Sequence, residues 1–324
     1  MAEPTQIITK WKNINLMPYV RRYSMLILLV ILGIIASTLS PKFLTVNNIL
    51  NLLQQSSVIG IVAIGMTFVI IGAGIDLSVG SVLALAGMVV GILLKNNIGI
   101  STSIILATLL GACLGGVNGV IITKAKVPPF IATLAMMVAA KGLALLTTDG
   151  QPVFGLPGAF NVIGAGFLWG VPVSGLIWVF LTAVSAFVLK YSTFGRRLYA
   201  VGGNPEAARL SGIKVDQVIG ITYVISGALA AFAGIVLASW LTVSQPTAGG
   251  GAELNAIAAV VLGGTSLFGG TGGVMGTFVG VLMMSIITNI FNLIGLSSYY
   301  QSIFMGVIIV LALVFNQLVF GGEK

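Results

Sequence analysis

SVIGIVAIGMTFVIIGAGIDLSVGSVLALAGMVVGILL, residues 57–94, holds two apolar runs separated by glycines and a single acid. Unbroken apolar runs of this length, without the alternation of a strand, are what an α-helix needs to cross a bilayer core of about 30 Å. Between them the chain reads GIDLSVGS from Gly74 to Ser81. Glycines at 72, 74 and 80 loosen the backbone, while Asp76 and Ser78 carry acceptors for amides that lipid leaves bare. The chain is therefore expected to break here. A carboxylate at membrane depth costs roughly 2.5–3.5 kcal/mol on insertion scales, so Asp76 is expected to face protein or water. Two roles stay open for it: the cap of a helix at the interface, or part of a pathway.

The rest of the chain has the same character. Of its 324 residues 57% are hydrophobic and only 7% are charged, so lipid is the solvent for most of it. The 43 glycines suit close helix approach in a bilayer, where small residues mark the contacts. The expected fold is all-α, a polytopic transmembrane helix bundle of about ten spans with broken or short helices near its centre. Apolar runs place the spans at 23–39, 57–73, 78–94, 98–122, 129–147, 173–189, 218–240, 253–268, 274–294 and 302–320. They form one domain, 23–320, between an N-terminal segment, 1–22, and a tail, 321–324. The run at 23–39 has no small-residue cleavage site before Pro41, which reads as a retained span rather than a leader. Between the fifth and sixth spans, residues 148–172 are rich in Gly and Pro and read as an external loop with a short hairpin.

Charge sets the orientation. With an internal N-terminus, Lys10, Lys12, Arg21, Arg22, Lys124, Lys126, Lys190, Arg196, Arg197, Arg209, Lys214 and Lys324 fall inside. Only Lys42 and Lys95 fall outside, and Lys141 lies within a span. The positive-inside rule favours this arrangement. The net charge of +8 thus sits in a few loops of a membrane protein and implies no nucleic acid.

Chemistry is sparse. Histidine is absent, which excludes His-based triads, His-ligated metals and His proton relays. Cys113, the one cysteine, lies in the glycine-rich GACLGGVNG and is expected to pack between helices. No GxxxxGK[ST] loop occurs, so the chain is expected to bind no nucleotide, and no catalytic or metal-ligating residues are expected. Energy for any transport must come from elsewhere.

A second interruption runs through QPTAGGGAELNAIAAVVLGGTSLFGGTGG, residues 245–273. Two interruptions, one in each half, point to a central pathway in transporters built from repeats. The candidate pathway residues are Gly74, Asp76, Ser78 and Ser81 at the first, and Glu253, Asn255 and Thr265 at the second. AIGMTFVIIGAG from Ala63 faintly resembles AIAAVVLGGTS from Ala256. The internal loop 190–217 carries a punctuated helix: Asn204 as N-cap, Pro205 in the first turn, Glu206 at the positive helix end and Gly212 as terminator. So short a helix needs a packing partner, either its own membrane domain or another protein.

These blocks, with VPPFIATLAMM at Val127, FGRRLYAVGGNPEAARLSGI at Phe194 and SSYYQ at Ser297, resemble the permease subunits of bacterial binding-protein-dependent ABC importers for monosaccharides. The resemblance is to the ribose, galactose and arabinose group, is nearest its ribose-transporting members, and covers nearly the whole chain. It departs from the family pattern in the external loop after Asp149. It implies an inner-membrane permease, paired with a second copy and working by alternating access on ribose or a related monosaccharide. A cytoplasmic ATPase using ATP and Mg, and a periplasmic or extracellular sugar-binding protein, are implied as partners. Carried onto this chain, it makes Gly195, Arg196, Asn204, Pro205, Glu206, Ala207, Arg209, Leu210 and Gly212 the expected ATPase-coupling region. From composition alone, an ion-gradient-driven secondary transporter is the alternative.

Overall fold

The apolar runs form helices that end where Gly, Pro, Asn or a charge interrupts them. This computed structural model describes residues 17–320, so Lys10, Lys12, Lys324 and the 321–324 tail lie outside the described residues. The order begins α1 (Met17–Leu39), α2 (Val46–Ile71), α3 (Val79–Lys95), α4 (Ile100–Thr123) and α5 (Pro129–Leu146). It continues through α6 (Gly158–Ala165), the hairpin β1 (Phe167–Leu168) and β2 (Val171–Pro172), α7 (Val173–Tyr191), α8 (Thr193–Gly203) and α9 (Pro205–Leu210). α10 (Val215–Leu241), α11 (Ala252–Leu262), α12 (Val274–Leu293) and α13 (Ser298–Phe320) follow. Among the described residues, α2, α4, α5, α7, α10 and α12 are long and apolar enough to cross a membrane, and three further apolar helices, Met25–Leu39, α3 and α11, are shorter. The protein is an all-α, multi-pass membrane protein.

α2 is the buried axis. Residues 60–71 are all buried, as expected of a helix that is apolar on every face. Its contacts with α12 include two polar pairs: Asn48 and Asn289 exchange side-chain hydrogen bonds of 2.9 Å, and Thr67 and Thr277 hydroxyls lie 2.7 Å apart. On α7, Trp178 is fully buried against Gly60 and stacks on Phe278 with ring centroids 4.4 Å apart.

α4 and α10 meet along small residues. Gly111, Gly115 and Gly119, spaced four apart, face Gly227, the Tyr223 carbonyl and Gly220, and added Cβ atoms at Gly111 and Gly115 would strike α10 backbone. This stripe corrects the expectation for Cys113, which is exposed. Two residues on from Gly111, a helical side chain has turned by about 200° and points away from the contact.

The stretch 148–172 is also more ordered than a loop. Gln54 Nε2 donates to the Gly164 carbonyl (2.7 Å), and Ser239 Oγ accepts from the Gly164 amide (2.8 Å) while donating to the Phe160 carbonyl (2.7 Å). These bonds pin α6 across the ends of α2 and α10. The hairpin expected beside it is present, with Trp169 at its turn.

Candidate functional site

α2 ends at Ile71 and α3 begins at Val79, so the expected break is real. Asp76 sits in it, only 1% exposed. Its Oδ1 accepts from the Ser78 amide (3.0 Å) and hydroxyl (2.6 Å), and its Oδ2 accepts from the Ser226 hydroxyl (2.8 Å) on α10. Asn118 Nδ2, on α4, donates to the Ser78 hydroxyl (3.0 Å). The neighbouring Ile75 carbonyl is approached by Thr133 Oγ1 (3.4 Å) and Tyr223 OH (3.5 Å). The turn is thus clamped from α4, α5 and α10 by groups that satisfy a buried carboxylate. Ser78 is the first residue before α3 but makes no side-chain cap to it; its hydroxyl is committed to Asp76. Ser226 stands eleven residues into α10, about 16 Å along it, which puts the clamp at membrane depth.

The second interruption is larger than a glycine cluster. α11 has 11 residues, about 16 Å, and is too short to cross the bilayer core. The expected span 253–268 is therefore a half-helix that stops at Leu262, preceded by a non-helical leg, 242–251. The leg lies along α3, with Ser244 against Gly91 and Gly249 against Gly80. A Cβ on Gly80 would strike both the Gly249 carbonyl and the Glu253 carboxylate. The two interruptions therefore meet at Gly80, with Asp76 and Ser78 beneath one side and Glu253 on the other. Ser81 and Asn255 are half-buried near this crossing. Thr265 is not part of it: it is buried at the far end of α11, where its Oγ1 accepts from the Gly273 amide (3.3 Å).

The faint repeat has a structural counterpart. At the end of α2, Ala73 N donates to Ile70 O (2.9 Å) and Gly74 N to Val69 O (3.0 Å), with Ala73 at φ 60°. At the end of α11, Gly264 N donates to Val261 O (2.9 Å) and Thr265 N to Val260 O (3.2 Å), with Gly264 at φ 76°. Both helices close with the same left-handed turn.

α8, which the loop reading of 190–217 missed, ties both turns together. Its sequence signal is Ser192, whose Oγ accepts from the Gly195 amide (3.0 Å), followed by Phe194, Leu198 and Val201 at helical spacing. Leu198 packs under Gly72, Phe194 stacks with Phe68 of α2 (6.3 Å between centroids), and Gly202 abuts the Ile71 carbonyl. On the other side Tyr199 OH donates to Gly272 O (2.8 Å), and the Gly270 amide donates to Ile71 O (2.9 Å).

α9 projects from α8 with the expected punctuation. Asn204 Oδ1 accepts from the Ala207 amide (2.9 Å), Pro205 occupies the first turn, Glu206 pairs with Arg209 (3.0 Å), and Gly212 has φ 80°. Ala208 is buried and Leu210 is 89% exposed. The helix therefore packs on its own domain through Ala208 and leaves Ala207 and Leu210 outward. Arg196 is exposed and donates to the Tyr191 carbonyl (3.1 Å). Gly195 is buried against Leu189, inside the α7–α8 corner and away from the outward face. Lys126 and Asp216 join the α4–α5 turn to this end at 3.2 Å.

A helical membrane protein with two interrupted crossings in contact, both joined to a small capped helix at one end, has the architecture of a transport permease. The sequence bears this out. A family described as branched-chain amino acid transport system / permease component matches residues 48–313, and the chain belongs to it. A ribose import permease protein of Bacillus subtilis (strain 168) is 45% identical over 314 residues, 96% of this chain and 98% of that protein. One from Haemophilus influenzae is 46% identical over 290 residues, 88% of this chain and 90% of the other. The D-allose transport system permease protein of Escherichia coli (strain K12) is 36% identical over 310 residues, 95% of each chain. No solved structure matches.

Proposed function

We propose that this chain is the membrane permease of an ATP-driven, binding-protein-dependent importer for ribose or a related monosaccharide. The observation that carries the reading is the end-to-end identity of 45% with a ribose import permease, covering 96% of this chain and 98% of the relative. The family description mentions branched-chain amino acids, but the ribose permeases at 45–47% identity and the D-allose permease at 36% are sugar permeases by name. In this reading the chain makes about ten crossings of the inner membrane from a cytoplasmic N-terminus, with the 242–251 leg and α11 together completing one of them. Two copies pair around the pathway. A periplasmic or extracellular sugar-binding protein delivers substrate on one side, and an ATPase on the other uses ATP and Mg, neither of which this chain binds.

The permease's own part is mechanical. The ATPase engages α9 through Ala207 and Leu210, with Glu206, Arg209 and Arg196 around them. Displacement of α8 then reaches both left-handed turns through Leu198, Gly202 and Tyr199. Because the first turn leads through the break into α3, the second ends α11, and α3 and α11 meet at Gly80, a push at α8 changes their crossing and opens one side or the other. Gly74, Asp76 and Ser78 hold the break, while Ser81, Glu253 and Asn255 stand at the pathway, with Thr265 holding the second turn.

The test is uptake. Expressed with a ribose ATPase and binding protein in a strain lacking its own ribose permease, the chain is expected to restore ribose uptake that depends on the ATPase. Leucine uptake without ribose uptake, or ribose uptake that persists without the ATPase, overturns the reading. Orientation is checked separately. Cysteines at Ser192 and Ser211 in a Cys113→Ser background are expected to resist an impermeant thiol reagent in intact cells and to react after lysis. Labelling of both from outside reverses the topology.

A further inference from the structure

We propose that the junction of α8 and α10 holds the phosphate of an anionic phospholipid. A cleft of about 410 Å³ opens there, lined in part by Thr193, Phe194, Arg197, Lys214, Gln217 and Ile221. Lys214 immediately precedes α10, and Gln217 and Ile221 follow it at spacings of three and four residues, so the shared lining climbs from the start of α10 along it. Along about 10 Å of helix the lining passes from a cation to an amide to an alkyl group, the order in which a phospholipid presents its headgroup, glycerol and acyl chain. Ile221 is 46% exposed on a membrane-crossing helix, so the apolar end of the cleft is open toward lipid.

The level fits a headgroup. α7 ends beside the cleft at Tyr191, with Lys190 Nζ 5.1 Å from the Tyr191 ring centroid and both Phe187 and Tyr191 exposed. Aromatic rings and a lysine whose stem lies along them mark the boundary between hydrocarbon and headgroups. Thr193 and Phe194, which line the cleft, follow directly.

The charge fits an anion. Arg197 and Lys214 are exposed, and neither side chain has a hydrogen bond or ion pair among the described residues. The acids of this end are engaged elsewhere: Asp216 with Lys126 (3.2 Å) and Arg209 (3.9 Å), Glu206 with Arg209 (3.0 Å). Two cations without a counter-charge beside an apolar cleft favour a headgroup of net negative charge over a zwitterionic one, whose own cation they would repel. None of the cleft's cations belongs to the outward face of α9, so the lipid would lie beside the coupling helix and brace α8 against α10.

The experiment uses purified full-length chain, titrated with phosphatidylglycerol or phosphatidylcholine and followed by native mass spectrometry and thermal stability. Phosphatidylglycerol is expected to bind and stabilise, and phosphatidylcholine to do neither. The double variant Arg197→Gln, Lys214→Gln is expected to lose about 10- to 30-fold in phosphatidylglycerol affinity, and Arg197→Lys to keep most of it. Unchanged phosphatidylglycerol binding in the double variant overturns the proposal. Two other results also overturn it: inorganic phosphate alone reproducing the stabilisation, which assigns the cleft to a free anion, or the double variant losing only ATPase co-purification, which assigns the cations to the partner interface.

Discussion

Asp76→Leu is expected to abolish sugar uptake, and Asp76→Asn to preserve most of it. The carboxylate is the acceptor for three donors, the Ser78 amide, the Ser78 hydroxyl and the Ser226 hydroxyl, in a site closed to water. Leucine keeps the branched outline, is bulkier, and accepts nothing. The Ser226 hydroxyl can turn to a carbonyl of its own helix, but the Ser78 amide cannot, and each stranded buried donor costs about 1–3 kcal/mol. The break between α2 and α3 would then relax, and with it the crossing at Gly80. Asparagine keeps one oxygen for the two Ser78 donors and offers Ser226 a donor in place of an acceptor, which a hydroxyl accommodates by rotation. Uptake assays, with membrane content measured in parallel, decide the matter. Normal uptake with leucine means that this clamp is idle. Loss with asparagine as well as leucine means that the negative charge itself is needed, and Asp76 acts in the pathway rather than as a brace.

How far this site was legible follows from what lipid does and does not enforce. Apolar runs have to be helical in a bilayer, so the spans expected at 173–189 and 274–294 differ by one or two residues from α7 and α12. Polar positions have no such guarantee. α2 begins at Val46, eleven residues before the expected start, because NNILNLLQQS looks like a loop until its partners are known. Asn48 is bonded to Asn289, 241 residues away, and Gln54 to Gly164, 110 residues away. The same limit applies to Asp76. Its oddness in an apolar run was visible, but Asn118 and Ser226, its clamp, are 40 residues from Ser78 and 150 from Asp76, on helices whose hydropathy gives no hint of them. α8 was missed for a different reason. It is an interfacial helix with three basic or aromatic-hydroxyl residues among eleven, too polar for a span and too short to stand alone, and only its packing on α2 and the 263–273 turn makes it stable.

Ala207→Glu is expected to leave the permease in the membrane at normal abundance and to reduce both ATPase co-purification and uptake by 10-fold or more. The substitution does not weaken α9 itself. Ala207 is the third residue after the Asn204 cap, in the first turn, where an acidic side chain complements the positive helix end. Ala207 is also exposed, so no internal packing is disturbed. What changes is the outward face, where a small methyl beside Leu210 becomes a long anion next to Glu206. A partner surface shaped for alanine and leucine has to desolvate that charge or withdraw, and a misplaced central group at an interface commonly costs about 2 kcal/mol or more. Leu210→Asp makes the same demand from the neighbouring position, since a leucine 89% exposed on a six-residue helix has nothing else to hold it there. Gly212→Val separates shape from surface. No atom lies within 4 Å of a Cβ built on Gly212, but its φ is 80°, so valine adds strain to the turn without adding a clash. Its uptake is expected to fall less than that of Ala207→Glu, through a misplaced helix rather than a blocked one. If Ala207→Glu binds the ATPase and transports at the wild-type rate while Gly212→Val does not, force reaches α8 through the chain after α9. The contact then lies at the turn that joins α9 to α10, with the Lys126–Asp216 pair as its link to the α4–α5 turn.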